Sequence, residues 1–278
     1  MLQIFMNTIM KLSFSISLFV CFNVSTSCFA QTIVDKAYLM VRYNETSVAD
    51  TTDLSKKNYD VMGLEIGKMQ SRFYSISLAE TKKNLEEQVK KTGMFDLSQL
   101  NIPKNRRGKD RVILKNTDTK QLTTFENLGI FNYSYLEPVP NISWEIKEDT
   151  LRVLNYICQK AICQFRGRSY EAWFTPEINI SEGPWKFTGL PGLILKVEES
   201  KGHYSFSCIG IEKINRDILI SSNSKIQKVS REEYLKLRKQ FNEDPLPFLS
   251  DGRNGFTFES LPTSLPKRSY NPMELTEK

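Results

Sequence analysis

The segment GPWKFTGLPGLILKV, residues 183–197, holds the densest cluster of glycine, proline and tryptophan in the chain. Proline suits the second position of a β-turn, and glycine accepts a positive φ at the third position. Residues 190–193 (LPGL) therefore predict a type II turn, and Gly183-Pro184 predicts an earlier corner. We expect five residues to bend the backbone tightly beside a sheet, and these are Gly183, Pro184, Gly189, Pro191 and Gly192.

Apolar and polar residues alternate with a period of two through most of the chain, which is typical of β-strands. Immediately after the turn, Leu193, Leu195 and Val197 face one side of a strand, while Lys196 and Glu198 face the other. The pattern predicts a mainly β fold, a single curved, half-barrel-like antiparallel sheet with two or three short helices. The predicted strands are 37–43, 60–76 as a hairpin, 111–116, 121–127, 130–138, 154–165, 169–175, 193–199 and 203–211.

Two capping boxes predict helices, because a serine followed three residues later by a glutamate satisfies backbone N–H groups at a helix start. The two pairs are Ser77/Glu80, which predicts a helix near 78–92, and Ser230/Glu233, which predicts a helix near 231–241. The first helix should cover one sheet face with a narrow apolar stripe.

The N-terminus has the pattern of a secretory signal peptide. Lys11 supplies a positive charge, an apolar run covers residues 12–22, and small residues at 28 and 30 suit a signal peptidase. We expect cleavage after Ala30 and export to the periplasm or out of the cell. A lipid anchor at Cys28 is the alternative, and it is disfavoured because Ser25 stands where a lipobox prefers an aliphatic residue.

The rest of the chain predicts one domain and a tail. No later segment reaches the roughly 20 apolar residues that a membrane-spanning helix needs. Residues 31–244 should form the antiparallel β domain. Residues 245–278 are rich in proline and predict an extended tail that is laid over the domain or partly mobile.

The formal charge of +6 is spread along the chain, which argues against a nucleic-acid-binding face. The one concentrated basic patch, KNRRGKDR at 104–111, predicts a solvated loop. Peripheral docking to a membrane, an acidic glycan or a partner is the alternative. The basic residues of the patch are Lys104, Arg106, Arg107, Lys109 and Arg111.

Three cysteines follow the predicted leader. Cys158 and Cys163 share one predicted strand, where five residues span roughly 16 Å and reach opposite faces, whereas a disulfide needs Cα atoms within about 7 Å. If export oxidises any pair, Cys208 is one of the partners. Three cysteines and one histidine without close spacing predict no metal site, and no glycine pattern for a cofactor precedes a helix.

The sequence does not arrange its histidine, cysteine and serine residues as common hydrolases do. The single histidine, His203, lies five residues before Cys208 and so on the other face of that strand, and the chain has no Gly-x-Ser-x-Gly elbow. A glycan or peptide hydrolase that uses Glu171 and Glu177 remains an alternative, because paired carboxylates cleave glycosides. Solvated strand edges explain these acids more simply.

Several spaced motifs together resemble the GLPGLI family of secreted or periplasmic Bacteroidota proteins. They are FRGRSYEAWFTPEI at 165–178, GPWKF at 183–187, GLPGLIL at 189–195 and YNPMEL at 270–275. The resemblance extends over about 37–275 and implies export, but it supplies no activity, substrate or catalytic residue. Asn179 stands where the family pattern suggests a proline, so the loop before Gly183 should be less rigid.

Aromatic faces combined with a few charged groups suit a concave ligand site. We expect such a rim at one open end of the sheet, binding an apolar ligand or a protein partner in the cell envelope without catalysis. Trp185→Ala should then weaken binding and leave the thermal midpoint nearly unchanged. A purely structural envelope component is a further alternative. The candidate ligand-binding residues are Arg166, Arg168, Trp173, Glu177, Trp185 and Lys186.

Overall fold

A computed structural model describes residues 31–92, 110–221, 225–249 and 269–276, which leaves the predicted leader and residues 104–109 of the basic patch outside the described part. The strands are β1 Gln31–Val48, β2 Lys57–Ile66, β3 Gln70–Ser75, β4 Arg111–Asn116, β5 Gln121–Leu128, β6 Phe131–Pro138, β7 Glu145–Val153, β8 Tyr156–Phe165, β9 Arg168–Thr175, β10 Leu193–Glu199, β11 Tyr204–Ser221 and β12 Ile226–Lys228. The helices are α1 Ile76–Thr92 and α2 Arg231–Glu243, and a single 3-10 turn follows at Leu246–Phe248.

The described strands form one open, curled sheet in the order β12-β6-β5-β4-β3-β2-β1-β11-β10-β9-β8-β7. The two longest strands, β1 and β11, pair at its centre. Successive antiparallel neighbours extend from β2 to β6 on one side and from β10 to β7 on the other, while the short β12 joins β6 in parallel. This arrangement confirms the predicted mainly β fold with one curved antiparallel sheet.

Alternating burial shows which face of the sheet is inside. On β5, Leu122, Thr124, Glu126 and Leu128 are buried, whereas the residues between them are not. The same face carries the main hydrophobic core, which includes Tyr43 and other residues of β1, β2 and β8 to β11. We refer to this side as the inner face. A strand whose two faces differ in this way is readily predicted from sequence.

The sequence pattern did not predict strand β7, because the two faces of this strand do not differ in burial. Its sequence, EIKEDTLRV, is exposed at most positions on both faces. Three of its residues lie between the pairs Ile146↔Ala161 and Thr150↔Gln159, where the register with β8 shifts. Irregular pairing at the edge of a sheet removes the period that prediction uses.

The two helices begin at serine caps. The Oγ of Ser75 accepts the N–H of Leu78 at 3.0 Å, so α1 begins two residues earlier than predicted and Ser77 is not its cap. The hydroxyl oxygen of Ser77 instead accepts the N–H of Val61 at 3.3 Å. At α2 the predicted cap is present, because Ser230 accepts the N–H of Glu233 at 3.1 Å. Neither helix of the described residues is long and apolar enough to cross a membrane.

Helix α2 covers the β5–β6 part of the inner face. A second hydrophobic cluster joins Tyr133 and Tyr135 of β6 to Tyr234 and Phe241 of α2. The rings of Tyr135 and Tyr234 stack with centroids 5.0 Å apart. This packing leaves space between the helix and the centre of the sheet, and the candidate site lies there.

Candidate functional site

Residues 182–187, here called the crossing loop, contact strands that are far apart in the sheet. Lys115 of β4 forms an ion pair with Glu182. At the other end of the loop, the ring of Phe187 packs against Tyr170 of β9, with centroids 4.8 Å apart. Five strands separate β4 from β9 in the sheet order, so the crossing loop lies inside the curl and bridges its two halves.

Two glycines of the quoted segment permit close backbone approach. A Cβ on Gly183 would lie 2.9 Å from the Cβ of Ile194. A Cβ on Gly192, where φ is +153°, would lie 2.2 Å from the carbonyl oxygen of Thr175. No real side chain fits at that distance, so the close packing at Gly183 and Gly192 requires glycine.

The turn itself differs from the predicted type II turn. The N–H of Gly192 bonds to the carbonyl oxygen of Leu190 at 2.9 Å, which closes a three-residue turn around Pro191. The N–H of Leu193, which a type II turn would direct to Leu190, bonds to the carbonyl oxygen of Ile178 at 3.0 Å. The backbone therefore enters β10 by pairing with the preceding loop.

Trp185 lies deeper than the predicted rim. Its φ of 56° is in the left-handed region that bulky residues rarely adopt. Its side chain is 5% exposed and belongs to the main core, with ring centroids 5.7 Å from Phe165 and 5.2 Å from Phe187. We therefore expect loss of Trp185 to lower stability, contrary to the expectation from sequence.

A cavity of about 270 Å³ lies between the inner face, α2 and residues 269–276, which we call the strap. Buried Glu126, Tyr234 and Lys186 line it, as do exposed Asn58 and Tyr270 nearer the solvent. Its remaining aromatic lining residues are Tyr135, Trp185 and Tyr204. The cavity is thus deep at one end and open at the other.

The strap is held in part by hydrogen bonds to its backbone. Arg168 donates to the carbonyl oxygen of Pro272 at 3.1 Å and to Oδ1 of Asn271 at 2.6 Å. The hydroxyl of Tyr170 donates to the carbonyl oxygen of Met273 at 3.2 Å. Met273 is 6% exposed and packs in the main core. The strap is therefore an integral wall of the cavity.

A buried ionic cluster links crossing loop, sheet and strap. The Nζ of Lys186 pairs with Glu137 of β6 and, at 2.5 Å, with Glu274 of the strap. Arg231 of α2 donates to Glu274 at 3.0 Å. Burial acts to lower the pKa of Lys186, but nearby Tyr135 and the two carboxylates outweigh it and raise that pKa. Lys186 therefore stays protonated.

A second ionic cluster lies around Glu126. This carboxylate pairs with Arg111 and, at 2.7 Å, with Arg238 of α2, and it accepts the hydroxyl of Tyr234. Burial acts to raise the pKa of Glu126, but Arg111 and Arg238 outweigh it and lower the pKa to about 2. Arg111 is only 20% exposed, so it lies inside the molecule and not on the solvated loop predicted for it.

The six candidate residues separate into three groups. Trp185 and Lys186 line the cavity. Arg166 and Arg168 hold the strap, since the carbonyl oxygen of Arg166 accepts the N–H of Leu275 at 2.8 Å. Trp173 and Glu177 lie elsewhere. The indole of Trp173 donates to Glu171 at 2.9 Å, and the carboxylate of Glu177 accepts the N–H of Ile157 at 3.1 Å.

Sequence reasoning missed the residues at the base of the cavity. Glu126 and Tyr234 are 108 residues apart, and no local pattern relates them. One signal was available for Glu126, because the alternation on β5 places it on the same face as Leu122 and Leu128. A charged residue in an apolar row needs a buried partner.

The described residues offer no metal site and no reactive thiol. Their His, Cys, Asp and Glu side chains form no group of three that could hold a metal ion. The described cysteines are free and buried. Burial raises the pKa of Cys158 and Cys208 to about 11 and that of Cys163 to about 12. Such thiols are inert at neutral pH.

Comparisons with known proteins give a short family match and a distant fold. A family model described as a protein of unknown function (Porph_ging) matches residues 166–196, from the β8–β9 turn through the crossing loop into β10. Two crystal forms of PNGF-II are similar in fold, with TM-scores of 0.50 and 0.49 and 14% identity over 73% of this chain. The chain spans about a third of PNGF-II, 33% and 32% in the two structures. No curated protein matches the chain.

Proposed function

We propose that this chain is an exported protein of the GLPGLI type that binds a small molecule in the strap cavity without transforming it. The observation that carries the proposal is the cavity itself, walled by aromatic rings and by charged side chains that already have partners. Pockets of this kind hold a ligand by its apolar face and orient it with a few polar groups. Its volume of about 270 Å³ is close to the ~300 Å³ at which ligand pockets begin.

The lining argues for a ligand that is partly polar. Charged and amide side chains are more numerous in the cavity than aliphatic ones, of which Val48, Leu235 and Met273 are examples. A wholly apolar ligand would cover the amide side chains of the lining, such as Asn127 and Asn242, without hydrogen bonds to their remaining groups, which is unfavourable. The apolar ligand expected from sequence is therefore replaced by one with both an apolar and a polar part.

The protonation states support binding over catalysis. General acids and bases work best when their pKa lies near the working pH. Glu126 has a pKa of about 2, and that of Lys186 is raised above its usual value. His203 is outside the cavity lining, with its Nδ1 3.2 Å from Arg168. In the alternative hydrolase pair of Glu171 and Glu177, Glu171 already has partners within the protein. It accepts a hydrogen bond from Trp173 and pairs with Lys160 at 2.6 Å.

Export is supported by the sequence of the leader and by the GLPGLI-type motifs. The family match at 166–196 covers the GLPGLI motif and most of the segment upstream of it. N-terminal sequencing of the protein from its own cells should begin at Gln31. An uncleaved Met at the N-terminus, or a lipid on Cys28, would contradict this assignment.

Binding is tested by thermal-shift and calorimetric titration of the full chain against a library of small neutral and charged compounds. The informative variant is Tyr270→Ala, because Tyr270 lines the open end of the cavity and is 38% exposed. Tyr59→Ala is the matched control, since Tyr59 is a similarly exposed tyrosine, at 43%, outside the lining. Neither substitution removes a core residue.

The proposal expects at least one compound whose affinity falls about tenfold in Tyr270→Ala and is unchanged in Tyr59→Ala, the loss of one aromatic contact. Turnover of a bound compound would contradict the non-catalytic role. Binding that both variants leave unchanged would place the ligand outside the cavity. Absence of any ligand, with the chain recovered only in protein complexes, would favour a structural or partner-binding role.

A further inference from the structure

We infer that the ligand of the strap cavity is a neutral, polyhydroxylated ring, that is, a single sugar residue. This inference rests on the proposed function and names the chemical class that the lining selects. Three features of the lining carry it: its paired charges, its aromatic walls and its neutral hydrogen-bonding groups.

The charges of the cavity are satisfied within the protein. Its cationic lining residues are Arg111, Lys186 and Arg238, and its anionic ones are Asp110, Glu126 and Glu274. Each of these pairs with an opposite charge, and Asp110 does so with Lys82 at 2.9 Å. Arg111 and Arg238 share the one carboxylate of Glu126. A charged ligand would compete with these partly buried pairs, and rearranging them is costly. The ligand should therefore be neutral.

Aromatic rings supply an apolar wall. Trp185 of the crossing loop, Tyr135 of β6 and Tyr234 of α2 lie around the inner end of the cavity, and Tyr270 lies near the opening. Tyr135 stacks on Tyr234, and the ammonium of Lys186 lies over the rings of Tyr135 and Trp185, so a ligand reaches the exposed ring of Tyr270 most readily. An aromatic face carries partial negative charge, which favours contact with the weakly positive hydrogens of C–H bonds. The C–H face of a pyranose ring provides such hydrogens, whereas a fully polar ligand does not.

Neutral polar groups surround these rings. Asn127 donates one N–H to Asp110, and Asn242 donates one, at 2.6 Å, to the carbonyl oxygen of Arg238. A side-chain amide has two N–H groups and a carbonyl oxygen, so both residues retain donors and acceptors. Asn58 adds another amide at the open end. A hydroxyl both donates and accepts, and so it is the ligand group that mixed amides match best.

The size of the cavity sets the length of the ligand. A volume of about 270 Å³ is below the ~300–1,000 Å³ typical of sites for drug-sized molecules. It suits one ring and its substituents. A longer glycan would have to pass out of the cavity beside Asn58 and Tyr270 at its open end.

The test is a set of calorimetric and ligand-observed NMR titrations of the full chain. The neutral probes are glucose, galactose, mannose and N-acetylglucosamine. Glucuronate, galacturonate, mannuronate and glucosamine are their charged counterparts, while adenine and cyclohexanol are neutral rings with few or no hydroxyl groups. We expect at least one neutral sugar to bind, and its charged counterpart to bind about tenfold more weakly or worse.

A variant pair locates the binding. Asn58→Leu should weaken the sugar about tenfold, the effect of one lost hydrogen bond in a binding site. Asn44→Leu is the control, because Asn44 is also exposed on a central strand and does not line the cavity. Sugar binding that Asn58→Leu leaves unchanged would overturn the inference.

The outcomes separate the two proposals. If adenine, cyclohexanol or a charged sugar binds as well as any neutral sugar, and Tyr270→Ala weakens that binding, the sugar assignment is wrong and the cavity is still a binding site. If no probe or library compound depends on Tyr270, both proposals fail. A neutral sugar that depends on Tyr270 and Asn58 supports both.

Discussion

Glu274→Gln tests whether the strap is held by the buried ionic cluster. The side chains of Glu274 and Lys186 are 8% and 2% exposed, and their charged atoms are 2.5 Å apart. Arg231, which is 12% exposed, also pairs with Glu274. Without this carboxylate, three buried cations, Lys186, Arg231 and Arg166, share the remaining Glu137.

Removal of one partner from a buried ion pair typically lowers the free energy of unfolding by ~3–5 kcal/mol. We expect about 3 kcal/mol here, the lower end of that range, because Gln keeps the shape of Glu and the three cations keep Glu137. In a domain of this size the loss corresponds to a thermal midpoint lower by roughly 6–12 °C. Urea unfolding followed by tryptophan fluorescence measures it directly.

The effect should depend on pH. Burial acts to raise the pKa of Glu274, but Lys186 and Arg231 outweigh it and lower that pKa below the usual 4.5. A lowered carboxyl pKa stabilises the fold above the unfolded-state value, and this stabilisation is lost as the pH falls through the folded-state value. The difference between wild type and Glu274→Gln should therefore be full at pH 7 and shrink below about pH 4.5.

Glu232→Gln is the control, because Glu232 lies on α2 beside Arg231 but pairs with Lys236 in solvent, 58% exposed. It should not change stability measurably. If Glu274→Gln is as stable as wild type at pH 7, or if its deficit persists unchanged in acid, the cluster does not hold the strap.

Three further predictions concern residues 183–197 and the core around them. Gly192→Ala should lower the free energy of unfolding by on the order of 3 kcal/mol, because the added Cβ would lie 2.2 Å from the carbonyl oxygen of Thr175. Gly210→Ala is the control. Its added Cβ meets open space among the described residues, so the free energy of unfolding should not fall. Trp185→Ala should lower the free energy of unfolding, measured in urea, by about 3–5 kcal/mol. A change under about 1 kcal/mol would indicate that Trp185 is an exposed residue at the rim of the sheet. Cys158, Cys163 and Cys208 are buried and have raised pKa values. In protein lacking residues 1–30, Ellman's reagent at pH 8 should therefore label them only after unfolding. Rapid labelling of the native protein would contradict their burial.

The sheet could be predicted because its strands differ on their two faces. Residues such as Leu193 and Val197 alternate with Lys196 and Glu198, and this period survives in the structure as β10. The turn was also predictable, since proline at 191 fixes φ and glycine at 192 permits a positive φ. Local sequence determines these features, so local reasoning finds them.

The site depended on the path of the chain across the inner face, which no local pattern encodes. Tryptophan is common both in cores and at ligand sites, so Trp185 could be assigned only after the crossing loop was located. Arg111 looked like part of a solvated patch because its buried partner, Glu126, lies on the next strand and a second cation, Arg238, comes from a distant helix. The curl of the sheet brings these residues together.

The central claim is that a small neutral ligand occupies the space between crossing loop, α2 and strap. The most direct measurement is a crystal structure of the full chain grown with the neutral sugar that binds most tightly in titration. We expect electron density for the sugar ring in the cavity beside Tyr270, with its hydroxyl groups near Asn58, Asn127 and Asn242. A well-occupied sugar at any other place on the protein, with the strap cavity filled only by water, would contradict it.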